Sequence, residues 1–203
     1  MKLETQCLHA GYSPESTTNA CAVPLYKTSS FVFNNTEHAA NLFGLRELGN
    51  IYTRLMNPTT DVLEQRVTAM EGGAAGLGVA SGTSAVFYSI INLAQEGDEI
   101  ISANNLYGGT YTQFNDILPK FGIKVKFVDP NDPANFAAAI TDKTKAIFCE
   151  SVSNPGLDVA DIKAIANVAD DHGIPLIVDS TFSTPYLTNP IEHGASIVIH
   201  SLT

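Results

Sequence analysis

Asp179 stands at the end of the run "IPLIV" in "IPLIVDSTFSTP", so its carboxylate meets the lip of an apolar strand. Partly desolvated there, it calls for a cation or a strong donor, or for the turn that follows it. The stretch "SGTSA" sets Gly82 and Thr83 at a helix start. Unpaired backbone N–H groups and the positive end of the helix dipole make that start an anion site, with phosphate the first candidate. A Ser81 cap with a glycine for tight packing would account for the same residues. Ser201 and Thr203 follow His200 and offer two hydroxyls on one side of the last loop. Tyr107, in "NNLYGGTYTQF", could lay an aromatic face over a flat ligand or pack within its own loop. Glu150 and Asn154, in "FCESVSNPG", suit hydrogen bonds to a ligand edge, and Asn154 equally suits an Asn-Pro turn. Tyr52 and Arg54, in "NIYTRLMNPTT", read as an extended pair pointing one way. They would present a phenol and a planar cation fork to an anion, unless Arg54 is simply solvated.

Alternating elements must position these residues. Strands are expected at 76–80, 99–102, 124–128, 146–149, 175–178 and 196–199, separated by helical stretches such as "TSAVFYSIINLA", "TYTQFNDILPKF" and "ADIKAIANVADDHG". Repeated βαβ units imply an α/β fold, a mostly parallel sheet with helices on both faces, and ligands beyond the carboxyl ends of its strands. The segment up to about Asn35 has turn and extended character and reads as an arm. Thr36 is expected to cap a helix through "EHAANLFGLREL", and Pro58-Thr59 to open another that ends at Gly72-Gly73.

Composition narrows the function classes. A net charge of −10 with scattered Lys and Arg repels phosphate backbones, so no nucleic-acid partner is expected. No apolar run reaches the roughly 20 residues of a membrane span, and the first residues lack a signal-peptide core, so neither a membrane partner nor export is expected and the cytoplasm is the expected compartment. Cys7, Cys21 and Cys149 form neither an even disulfide framework nor a C-x-x-C metal pair, and no metal site is expected. A nucleotide-dependent oxidoreductase is disfavoured because Gly76 and Gly78 are followed by Ser81 where the third glycine of a dinucleotide fingerprint belongs.

In order and spacing, these stretches, together with "LHAGY" and "VPLYKTSSFVF", resemble the Cys/Met metabolism family of pyridoxal-phosphate enzymes over the chain to its last residue. The resemblance implies the large domain of the fold-type I transferases, with an N-terminal arm and helix (1–60) contacting a neighbouring subunit. A cofactor-binding α/β domain (61–203) would follow, and the family's small C-terminal domain would be absent from this chain. The family's last loop reads S-x-T-K, and the chain gives Ser201, Leu202 and Thr203. A Schiff-base lysine is therefore expected immediately after Thr203, the chain ending either at that modified residue or by truncation.

Residue by residue, the resemblance gives the cofactor phosphate to the Gly82 and Thr83 amides and the Ser201 and Thr203 hydroxyls. Tyr52 and Arg54 would reach the phosphate of a neighbouring subunit's cofactor, in a homotetramer of dimers with shared sites. Tyr107 would stack on the pyridine ring, Asn154 would lie near the phenolic oxygen and the substrate carboxylate, and Asp179 would bind the ring nitrogen. Tyr107 and Asp179 are thus the expected catalytic side chains besides the lysine, and a small amino acid the expected substrate. "YTRLMNPT" and "NLYGGTYTQF" are similar to the O-acetylhomoserine sulfhydrylase branch, and Gly109 stands where methionine γ-lyases carry cysteine. The expected reaction is γ-replacement in methionine biosynthesis, from O-acetylhomoserine and sulfide to homocysteine and acetate. Cystathionine γ-synthase, cystathionine γ-lyase and methionine γ-lyase chemistry are the alternatives within the family. A non-catalytic binding domain is the alternative outside it.

Overall fold

The computed structural model describes residues 1–203, which fall into two compact units, Met1–Gly78 and Val79–Thr203. In the first unit Leu3–His9 forms helix α1, where an arm of turns and extended chain was expected. Leu, Glu and Gln favour helix, and Glu4 and His9 sit at the ends that suit their charges. The helix packs on α3, Pro58–Glu71, where Arg66 Nε donates to the Ala10 carbonyl at 2.8 Å. Between the two, Gly11 turns the chain at φ +72°, so close to α3 that a Cβ there would lie 2.7 Å from Gln65 Cβ. Helix α3 therefore packs with the N-terminal residues, and the expected boundary after residue 60 falls within it.

Helix α2 spans Thr36–Phe43. Its cap is Asn35, which accepts the His38 N–H at 2.8 Å, and Thr36 is the first helical residue, not the cap. The helix stops at Gly44 short of "LREL", and Leu45 adopts φ 53°. Helix α3 begins as expected, with Pro58 at its first position and Asn57 accepting the Thr59 N–H at 2.9 Å, and it ends at Gly72 with φ 69°.

Residues 76–80 form no strand. Glycine-rich chain lies against α3 instead: a Cβ on Gly76 would meet Thr68 Oγ1 at 2.6 Å, and the Gly78 N–H donates to Glu64 Oε1 at 2.7 Å. These glycines serve close packing against α3.

The second unit is an α/β layer structure. Five strands, β1 (Glu99–Ala103), β2 (Lys124–Val128), β3 (Thr144–Glu150), β4 (Leu176–Asp179) and β5 (Ile197–Ile199), pair in the order β2-β1-β3-β4-β5, every pair parallel. Their near-continuous apolar runs match a sheet flanked by helices, and β1 is buried along its whole length. Helix α4 (Gly82–Ile91) precedes β1, and α5 (Gly108–Thr112), α6 (Ala134–Ala139), α7 (Ile162–Asp171) and α8 (Thr184–Leu187) lie in the four connections. Helix α5 widens into a π turn, Gln113–Ile117, which places the fully buried Phe114 edge-on to Phe148 with centroids 4.9 Å apart. Such a pair contributes about 0.5–1.5 kcal/mol beyond its area burial. At the amino edge of the sheet, Glu99 Oε2 is closed off by Lys126 Nζ at 2.7 Å and Thr141 Oγ1 at 2.6 Å. The carboxyl edge is where chemistry is left to do. No helix is long and apolar enough to cross a membrane.

Candidate active site

In this order the strand sequence reverses beside β1 and β3, and the crevice beyond the strands' carboxyl ends at such a reversal is where open parallel sheets bind ligands. The loops leaving β1, β3, β4 and β5 carry Tyr107, Asn154, Asp179, Ser201 and Thr203, so one edge of one unit gathers five of the expected residues. Gly82 and Thr83 join them through α4.

The anion turn is built from both ends. Ser81 caps α4, its Oγ accepting the Ser84 N–H at 3.0 Å. The capping reading of Ser81 therefore holds, and the first N–H groups of a ten-residue helix still point outward. Gly82 sits hard against the last loop: a Cβ on it would lie 2.6 Å from Ser201 Cβ and 3.1 Å from Ser201 Cα. "SGT" and "SLT", far apart in sequence, thus form one cradle. Ser201 Oγ is 3.2 Å from Thr203 Oγ1, and the Thr203 N–H donates to Ser201 Oγ at 3.4 Å, so the two hydroxyls share a side as expected. The Ser201 N–H donates to Thr181 Oγ1 at 2.8 Å.

Asp179 ends β4, in register with Glu150 of β3 and Ile199 of β5. Its Oδ1 accepts the Thr181 N–H at 3.0 Å, which orients the carboxylate by the turn expected of an Asp in this place. Thr181 therefore ties Asp179 to the Ser201 loop. Behind it, the buried hydroxyls of Ser151, Ser180 and Ser183 close a ring, with Oγ separations of 2.7 to 3.2 Å, that welds the β3 and β4 loops together. Sequence reasoning missed Thr181 and this ring. The signal was the density of hydroxyls in "ESVS" and "DSTFS".

Glu150 departs from its expected place at a ligand edge. It is buried, and both its oxygens face backbone: the Tyr107 N–H donates to Oε1 at 2.7 Å and the Asn154 N–H to Oε2 at 3.1 Å. Burial pushes its carboxyl up to about 7, the Asp179 charge adds to the rise, and the two N–H donors hold it down. Burial and the Glu150 charge push the neighbouring Cys149 thiol up to about 12, so this cysteine is inert packing.

Tyr107, half exposed, precedes α5. Gly109 lies under its ring, where an added Cβ would come 2.5 Å from Tyr107 Cε1.

Tyr52 and Arg54 belong to the first unit. Their segment is a turn, not an extended strand: the Leu55 and Met56 N–H groups both donate to the Tyr52 carbonyl, at 2.8 and 3.1 Å. The turn brings the side chains together, Arg54 Cζ standing 5.3 Å from the Tyr52 ring centroid. An isolated bridge pairs Tyr52 with Ser30, and Thr53 Oγ1 donates to the Thr28 carbonyl. The phenol and guanidinium line an open cavity of about 560 Å³ with Tyr26, Lys27, Thr28, Ser29 and Thr53, so two basic side chains border a recess in an acidic protein.

On the donor set of the second unit, a ligand with one phosphate, a flat ring and a protonated ring nitrogen fits: a cradle closed to any side chain at Gly82, two hydroxyls, an aromatic face and a fixed carboxylate. The family model for Cys/Met metabolism PLP-dependent enzymes matches residues 4–203. The chain belongs to this family. Its cofactor, pyridoxal phosphate, is the ligand the edge was found to fit. Among members of the Cys/Met metabolism family, the O-acetyl-L-homoserine sulfhydrylase of Leptospira meyeri is 56% identical over 202 residues, covering 100% of this chain and 46% of that protein. An O-acetylhomoserine (thiol)-lyase structure from Campylobacter jejuni, which holds N'-pyridoxyl-lysine-5'-monophosphate, superposes with a TM-score of 0.97 at 45% identity, over 100% of this chain and 50% of that one. A cystathionine γ-lyase from Lactobacillus plantarum, complexed with L-serine, gives 0.89 at 38% identity, over 98% and 50%. The chain therefore spans about half the length of the relatives it matches.

Proposed function

We propose that the protein to which this chain belongs catalyses γ-replacement on O-acetylhomoserine, sulfide displacing acetate to give homocysteine. The observation that carries this reading is the graded identity, 56% to a sulfhydrylase against 38% to a cystathionine γ-lyase, on a chain whose carboxyl-edge residues suit the family's cofactor. Pyridoxal phosphate, when bound, supplies an electron sink for the substrate's α-carbon. Asp179 holds the proton on the ring nitrogen, and Tyr107 covers one ring face and keeps water from it. The Gly82 and Thr83 amides and the Ser201 and Thr203 hydroxyls grip the phosphate, and Asn154 hydrogen-bonds the phenolic oxygen and the substrate carboxylate. A lysine after Thr203 moves the substrate's protons as general base and acid.

The 1–60 segment works across a subunit boundary. Tyr52 and Arg54 bind the phosphate of a neighbouring subunit's cofactor, so two subunits complete each site, within a homotetramer of such dimers in the cytoplasm. Steady-state assay of the full-length protein tests the reaction: O-acetylhomoserine with sulfide is expected to give homocysteine at least tenfold faster than O-acetylhomoserine with cysteine gives cystathionine, or cystathionine alone gives cleavage products. The reverse ranking sinks it.

Gly109 bears on the same question, because any side chain there displaces the Tyr107 ring. Gly109→Ala is expected to lower kcat/KM for O-acetylhomoserine about tenfold, the cost of a modest overpacking, and to shift the circular dichroism of the bound cofactor. Unchanged values in both would show that the ring position is immaterial.

A further inference from the structure

We propose that Glu150 is a positioning residue that sets the Tyr107 and Asn154 loops at the mouth of the site, one carboxylate oxygen to each. The inference rests on the cofactor reading above and deepens it. Glu150 is the last residue of a central strand whose 146–149 stretch is fully buried, so its backbone is among the most rigid points of the unit. From there Oε1 takes the N–H of Tyr107, the residue that opens α5, and Oε2 takes the N–H of Asn154. The Tyr107 carbonyl in turn accepts the Tyr111 N–H at 2.9 Å, so both ends of that peptide are tied and the ring leaves it from a fixed place. Asn105 Nδ2, on the first loop, donates to Asp158 Oδ2 on the second at 3.1 Å, and Glu150 ties both loops to the strand end beneath them.

Only a carboxylate satisfies both donors. Glutamine presents one oxygen and one NH₂, and the NH₂ would face an N–H. A buried N–H left so costs more than the bond itself contributes. Asp179, in register on β4, is the like charge that faces Glu150 across the strand pair. Asp158 shares with it a small cavity beyond β3, whose walls include Cys149, Asn105 and Asn131 and no basic side chain. No cation near it eases the ionised form, and the site tolerates that form because the loops donate to it. Protonation near neutral pH, in the direction burial dictates, would weaken one of the two ties.

The test is Glu150→Gln in the full-length holoenzyme, read by amide exchange in peptides covering 105–110 and 152–156, by the absorbance of bound pyridoxal phosphate, and by kcat against pH. One of the two segments is expected to lose protection about ten- to a hundredfold, the worth of a hydrogen bond to a charged group. kcat should fall by a similar factor while the cofactor remains bound, and the part of the acid limb near pH 7 should flatten because the titrating group is gone. Wild-type exchange in both segments together with an unchanged pH profile would overturn the proposal. If Glu150→Gln fails to fold, Glu150→Asp, one methylene too short to span both donors, is judged by the same readings. A wild-type protein that shows no bound-cofactor absorbance would defeat the cofactor reading, and amide exchange would still decide whether the tie exists.

Discussion

Full-length protein carrying Asp179→Asn is expected to lose about three orders of magnitude in kcat and to keep its fold. The fold survives because the asparagine Oδ1 can accept the Thr181 N–H that Asp179 accepts at 3.0 Å, so the turn and its link to Ser201 persist. The activity goes because a neutral amide cannot hold a proton on a ring nitrogen. At an effective dielectric of about 20, an ion pair at contact is worth about 4 kcal/mol, or about three pKa units. Loss of that much from the barrier side slows the step by about a thousandfold. Removing the Asp179 charge also takes away one of the two influences that raise Glu150, whose carboxyl should then titrate lower. Rate, absorbance of bound cofactor and thermal midpoint, measured on the same preparation, check the three parts. A variant with wild-type kcat would rule out the ring-nitrogen role.

Gly82→Ala is the second large effect, with a steric cause. The new methyl would sit 2.6 Å from Ser201 Cβ and 3.1 Å from Ser201 Cα, so the strand-end loop itself, and not the tip of a flexible side chain, has to move. Overpacking of this kind costs about 1–3 kcal/mol, which corresponds to about 5- to 150-fold weaker cofactor binding if the cradle bears it. Alanine is the better helix former at the start of α4, so weakened binding could not be blamed on the helix. Equilibrium titration of the apo full-length protein with pyridoxal phosphate reads the effect. Wild-type affinity would mean that the Gly82 turn and the Ser201 loop do not hold the phosphate together.

Sequence alone determined the parallel α/β order and the strand ends, because buried parallel strands are written as short apolar runs that a polar residue terminates. Lys124–Val128 was placed to the residue, and the runs ending in Asp179 and His200 put their polar ends at the edge the fold uses. The opening of α3 at Pro58, the Ser81 cap and the stop at Gly72 were equally local, each set by a side chain or φ value within a few residues, whereas the Asn57 cap was not foreseen.

What tertiary structure decided was whatever depended on a distant partner. Residues 76–80 have the apolar, small-residue look of a strand, yet Gly76 and Gly78 lie against α3 and the run joins no ladder, since a strand exists only where a neighbour supplies hydrogen bonds. Tyr52 and Arg54 come together through a turn that alternation along an extended chain could not disclose. Gly82 looked like a helix-start glycine, and only the fold shows that it is glycine because Ser201 lies against it. Glu150, by its place after a strand, was expected at a ligand edge. Both its oxygens turned inward because folding placed two backbone donors, 43 residues and 4 residues away along the chain, within reach of one buried carboxylate.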